Sequence, residues 1–144
     1  MSNAQVFTAR KSSDFRWRTG LWFAQLWLAM LFGAAGAMKI FFGARDLAAI
    51  GLSYASEVPP WLLPLVGTLQ VVGAGALVLP AITRITPSLT PVAAAGFVVI
   101  QILTLGFSYA HGSFMQIAPY NFPPLWLSLF VLWGRTRKAH ILSR

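Results

Sequence analysis

Apolar side chains fill residues 20–42 almost without a break, and Gln25 is the one polar side chain between 21 and 38. A second apolar run covers 61–82, interrupted by Thr68 and Gln70, and a third covers 91–110, with Gln101, Thr104 and Ser108. A fourth, 116–133, carries Asn121 and Ser128 and three prolines, Pro119, Pro123 and Pro124. A helix needs about 20 residues to cross a bilayer, so the first three runs suffice as they stand. The fourth suffices if its helix starts before the prolines, which a membrane helix tolerates when neighbours satisfy the freed carbonyls. Pro123-Pro124 then marks a kink. If the two prolines instead form the first helical turn, 125–133 is too short to span, and 114–122 must pack against protein.

The pattern predicts an all-α fold, an integral membrane four-helix bundle over residues 20–134 with spans at about 20–42, 61–82, 91–110 and 116–133. Basic segments 1–19 and 135–144 flank it. Residues 1–13 are polar, have no apolar period and are expected to be mobile. The connection 43–60 is long for a helical hairpin. Within it Leu47, Ile50 and Tyr54 recur at helical spacing, which fits either a short interfacial helix or an irregular loop. Pro59-Pro60 before Trp61 suits a helix start, and 83–90, with Pro87, reads as a tight turn.

Small residues mark helix seams in lipid, where contacts come from close packing. The first run offers Ala29, Gly33 and Ala37 at four-residue steps, with Gly36 beside them. The second offers Gly67 and Ala74, with Gly73 and Gly75 nearby, and the third offers Ala93, Ala94, Ala95 and Gly96.

Composition agrees with membrane residence. Of the 144 residues, 57% are hydrophobic and 10% charged, against about 25% charged in a soluble domain. The charge is lopsided, 11 Lys+Arg to 3 Asp+Glu. A basic balance can signal nucleic acid, but here the cations sit at the chain ends and in one short loop. Arg10, Lys11, Arg16, Arg18, Arg84, Arg135, Arg137, Lys138 and Arg144 share one side of a four-span protein, and only Lys39 and Arg45 fall on the other. The positive-inside rule then places both termini in the cytoplasm, as for a multi-pass inner-membrane protein. A signal-peptide reading, with Ala35-Gly36-Ala37 as the cleavage site, is outweighed because the apolar run continues through Phe41-Phe42. Trp17, Trp22, Trp61 and Trp133 fall near expected interfaces, while Trp27 and Trp126 fall deeper and read as packing residues.

Chemistry-bearing residues are few. There is no cysteine, hence no thiolate, Fe–S or dithiol chemistry. No metal-ligand set, phosphate-binding loop or nucleophile elbow is visible, and no catalytic residue is assigned. A proton-coupled transporter of the small four-helix type needs an acid within a span, whereas Asp14, Asp46 and Glu57 all fall outside. Lys39 is the one charge embedded in an apolar run, about 4.5 Å of helix rise from Phe42. It either snorkels to the outer interface or points inward to pair with a ligand or with Asp46, Glu57 or His111. Gln70 and Gln101 lie near the middle of neighbouring runs, as structural glue or as the polar floor of a site for a quinone-like ligand. His111 and His140 are expected on opposite sides, which argues against bis-histidine haem ligation within one chain. The candidate ligand-binding residues are Lys39, Gln70, Gln101, His111 and Asn121.

The chain resembles the DoxX-like family of small four-helix membrane proteins. The matching pieces are Leu28-Ala29-Met30-Leu31-Phe32-Gly33 with Gly36 and Lys39, then Gly67-Thr68-Leu69-Gln70 leading to Gly73-Ala74. His111-Gly112, Ala118-Pro119 and Trp133-Gly134-Arg135 follow in order, so the resemblance covers about residues 21–135. One departure is Gln70, where such families often place a glutamate. The resemblance implies a membrane subunit, or a quinone- or lipid-binding accessory, of a redox system. Some relatives are described as subunits of oxidoreductases such as thiosulfate:quinone oxidoreductase. Its expected partners are the bilayer and a redox protein, with quinone as the conceivable cofactor and oligomerisation left open; nucleic acid is not among them. The alternatives are a small permeation protein with a mid-membrane polar site, or a structural anchor for a soluble partner.

Overall fold

The computed structural model of the chain describes residues 3–83 and 88–138, and all regular structure among them is helical. Helix α1 runs Asn3–Phe41, a short α2 runs Ala44–Ala49, and one 3-10 turn occupies Ser53–Ser56. Three further long helices follow: α3 over Leu62–Thr83, α4 over Leu89–Ala110 and α5 over Phe114–Trp133, which ends in a π-helical turn at Gly134–Lys138. Among the described residues, three segments are long and apolar enough to cross a membrane: Phe15–Phe41, Leu62–Pro80 and Leu89–Ala110. Helix α5 has the length, 20 residues, but Gln116, Asn121 and its prolines dilute its hydropathy.

The structure departs from the expectation at the N-terminus, and at α5 it selects one of the two alternatives. Residues 3–13 continue α1 as helix. No Gly or Pro interrupts residues 3–19, and extending an existing helix adds a hydrogen bond per residue without a new nucleus. In α5 the helix begins at Phe114, ahead of Pro119, Pro123 and Pro124, so the prolines lie inside it and do not form its first turn. Arg84 and Pro87 of the turn between α3 and α4, along with His140 and Arg144, lie outside the described residues.

Helix α1 packs on α3 and α5, and α4 packs on the same two. Leu28, Phe32, Leu77, Phe97 and Val131 fill the space between them. The rings of Phe32 and Phe97 stack with centroids 3.9 Å apart, and the edge of the Phe97 ring abuts Gly73, where a Cβ would come within 2.8 Å of it. At the crossing of α1 and α3, a Cβ on Gly36 would meet the Gly67 carbonyl at 2.6 Å, and one on Gly67 would meet the Gly36 carbonyl at 2.6 Å. The outward faces stay apolar: Phe23, Val72, Leu79 and Val92 are all exposed. Such continuous apolar coverage suits lipid and not water. Trp27 and Trp126 belong to this surface and are not packing residues. The large apolar body of an indole can lie against lipid.

Two glycine stops shape the connections, one between α1 and α3 and one between α4 and α5. Gly51, at φ 101°, ends α2, with Leu52 N–H donating to Leu47 O at 2.9 Å and Gly51 N–H to Ala48 O at 3.1 Å. This pair of bonds is the Schellman closure, which needs a left-handed residue that glycine adopts without strain. The stop breaks the expected stripe. Leu47 is buried against Ala55 and Leu63, whereas Ile50 faces outward. Gly112, at φ 73°, closes α4 in the same way, through Ser113 N–H to Ser108 O at 2.9 Å and Gly112 N–H to Tyr109 O at 3.3 Å. The chain then re-enters a helix at Phe114, so α4 and α5 are immediate neighbours.

Candidate functional site

The close crossing at Gly36 and Gly67 decides where the next polar residues go. One turn beyond it, Lys39 turns inward and is only 8% exposed. Its Nζ donates to Gln70 Oε1 at 3.0 Å and to Ala35 O at 3.4 Å. It therefore does not snorkel. None of its expected partners takes it up: Asp46 accepts from Gly43 N–H at 3.3 Å, and Glu57 and His111 are exposed.

Two cavities meet at this pair, both walled in part by Lys39, Tyr54, Gln70, Ile100 and Thr104. The larger, of 280 Å³, is otherwise apolar, lined by Val58, Leu62, Val66, Leu103 and Phe107 among others. Leu103 is 66% exposed, so this wall reaches the outer surface between α3 and α4. The smaller, of 200 Å³, adds Gln101 and Asn121. Its rim carries the exposed Tyr120 of α5. Ligand sites commonly measure about 300–1,000 Å³ with a few placed polar groups in an apolar wall, so the larger cavity, at 280 Å³, falls just below that range.

Gln101 is buried on α4, and its Nε2 has no hydrogen-bond partner. Leaving a buried amide donor unmade costs about 1–3 kcal/mol. Gln70 and Gln101 both face inward, yet Gln70 bonds Lys39 while Gln101 Nε2 bonds nothing. Asn121 lines the smaller cavity but donates its Nδ2 to Ile117 O at 3.1 Å, within its own helix. Four of the five candidate residues, Lys39, Gln70, Gln101 and Asn121, thus line one cavity. His111 does not join them. Its ring stacks on Phe107 with centroids 4.0 Å apart, and Nδ1 lies 2.8 Å from Phe107 O. The His-Gly pair belongs to the helix stop.

Two features escaped the sequence reading. Tyr54, on the 3-10 turn, walls both cavities; burial pushes its phenol above the ordinary value, so it stays a neutral group. A second polar cluster lies 14 residues back along α1, about 21 Å by helix rise. There Gln25 Nε2 donates to Leu77 O at 2.8 Å, and Thr90 Oγ1 donates to the same carbonyl at 3.3 Å. Arg135 Nε donates to Gln25 Oε1 at 2.9 Å, joined by Nη2, and the guanidinium lies 5.7 Å from the Trp22 ring centroid. Burial, and then the nearby Arg18, push the Arg135 guanidinium below its ordinary value. The signal was present, since Gln25 is the lone amide of the first run and Arg135 the first cation after the fourth.

A family model described as the DoxX-like family matches residues 23–132, which takes in both the Lys39 cavity and Gln25. The chain belongs to the DoxX-like family. No curated protein and no solved structure matches it. This DoxX-like protein is a membrane protein with several apolar helices. Among the described residues, its buried amide and cationic side chains gather in two places, around Lys39 and around Gln25.

Proposed function

We propose that this DoxX-like protein holds an amphipathic lipid-phase ligand, a quinone or lipid, as a membrane subunit or accessory of a redox system in the cell inner membrane. All four long helices cross the bilayer in this reading, with both termini cytoplasmic. The observation that carries it is the pairing of an apolar cavity with inward donors. The Lys39 ammonium faces both cavities, the larger walled by Val66 and Leu103, and the unpartnered Gln101 amide faces the smaller, which shares Ile100 with it. A quinone carbonyl is an acceptor that fits both donors, and its isoprenoid tail fits an apolar wall that reaches the lipid surface at Leu103. A quinone, when bound, supplies the electron chemistry; Lys39 and Gln101 would hold and orient its head.

The test is mass spectrometry of quinones and lipids retained after gentle detergent extraction. Wild type should retain such a ligand, and Lys39→Met should lose most of it. Lys39→Arg should rescue only in part, because a planar guanidinium does not substitute for a compact ammonium. Equal retention in wild type and Lys39→Met, at equal expression, overturns the reading.

A further inference from the structure

We infer that the head group taken by the Lys39 cavity is an anion, with a long-chain carboxylate as the simplest member of the class. This rests on the ligand-holding reading above and narrows it. Lys39 Nζ is buried on two neutral oxygens, Gln70 Oε1 and Ala35 O. Neither cavity has an acid in its wall. The chain has only three acids. Asp46 is engaged at Gly43 N–H and Glu57 is exposed. Asp14 is 25 residues back on the same helix, about 38 Å by helix rise. A buried cation held only by neutral dipoles is an expensive arrangement, and an opposite charge relieves it.

The second observation is independent of the charge. Gln101, 2% exposed, keeps an Nε2 without a partner in the wall of the cavity that Lys39 also lines. An ammonium and an amide N–H₂ are both donors, and a carboxylate offers two acceptor oxygens and no donor. The apolar side of the larger cavity, Leu62, Val66, Leu103 and Phe107, suits the chain behind such a head. A neutral alcohol offers a single oxygen and leaves the cation uncompensated.

The experiment uses the purified full-length protein in detergent, titrated separately with oleate, oleyl alcohol and a short-chain ubiquinone, and read by native mass spectrometry. Oleate should bind at least about tenfold tighter than oleyl alcohol, as a charge-assisted hydrogen bond predicts. Lys39→Met should bring oleate down to the level of the alcohol. Gln70→Glu keeps the volume and gives Lys39 an acid of its own. It should abolish oleate binding in a protein whose melting temperature is at least that of wild type. Gln101→Leu should weaken oleate less than Lys39→Met does. If ubiquinone or oleyl alcohol binds as tightly as oleate, the cavity reading stands and the anionic inference falls. If none of the three binds, both fall. Oleate binding that survives Gln70→Glu also overturns the inference.

Discussion

Gly36 of α1 and Gly67 of α3 touch backbone to backbone, each standing where a side chain on the other would be 2.6 Å from a carbonyl oxygen. The contact is reciprocal, so neither helix can give way alone. It also sets the spacing for the polar pair one turn away. A Cβ on Gly67 would lie 3.0 Å from the Lys39 Cβ, and one on Gly36 would lie 3.0 Å from the Gln70 Cβ. Close approach of the backbones is therefore what lets the Lys39 ammonium reach Gln70 at 3.0 Å.

Gly36→Ala and Gly67→Ala should each destabilise the protein by about 1–3 kcal/mol, the range for forcing a methyl into a filled interior. The obstacle in both cases is backbone, which cannot rotate aside. Gly96→Ala is the control, since nothing lies within 4 Å of its Cβ position. Thermal unfolding in detergent should show lowered midpoints for the first two and none for the third. Wild-type midpoints for both Gly36→Ala and Gly67→Ala would remove the crossing from its organising role.

Gln25 is the acceptor that holds a buried Arg135. Gln25→Leu keeps the bulk of the side chain but removes both the acceptor of Arg135 and the donor to Leu77 O. A hydrogen bond to a charged group contributes about 1.5–3 kcal/mol, and the cost of its loss should be of that order. The double variant Gln25→Leu/Arg135→Leu should recover part of the loss, because no buried charge is then stranded. A double-mutant cycle on denaturant unfolding reads this directly; strictly additive losses would show that the two residues are not coupled.

Helix existence was legible because membrane helices carry their signal in uninterrupted apolar length. Helices α3 and α4 start and stop within about two residues of runs 61–82 and 91–110. The extension of α1 to Asn3 was not legible, since polar residues such as those at 3–13 serve equally in an extended helix and a loose tail. Within the site, the inward direction of Gln70 and Gln101 follows from the cost of placing an amide in hydrocarbon. The direction of Lys39 does not, since a long stem near a helix end can snorkel or turn in. The glycine crossing decides it, and that is a relation between two helices rather than a property of either. Tyr54 stayed hidden because the Gly51 stop separates it from the Leu47 stripe and re-aims it into the cavity.

Orientation rests on the nine-to-two distribution of cations. Reporter fusions after Arg18 and after Leu142 should both read cytoplasmic. The decisive helix is α5, which falls short of the other three in hydropathy. If it stays on one side of the membrane, the fusion after Leu142 reads periplasmic while that after Arg18 stays cytoplasmic, and the four-span reading is lost.

The lateral mouth of the larger cavity gives a kinetic prediction. Leu103 lines the cavity and is exposed, whereas Ile102 beside it is exposed without lining it. Leu103→Trp should narrow the way in from lipid and leave Lys39, Gln70 and Gln101 where they are. An obstruction at the mouth raises the barrier for entering and for leaving alike. Association and dissociation of a bound quinone or fatty acid should therefore both slow several-fold, with their ratio, the Kd, little changed. Ile102→Trp adds the same indole to the outer surface and should leave both rates at wild-type values. Stopped-flow quenching of Trp fluorescence with a brominated fatty acid resolves the two rates. A changed Kd with unchanged association would mean that residue 103 touches the bound ligand and does not gate it. Wild-type rates in Leu103→Trp would mean that the ligand enters elsewhere, with the Tyr120 rim of the smaller cavity as the next position to block.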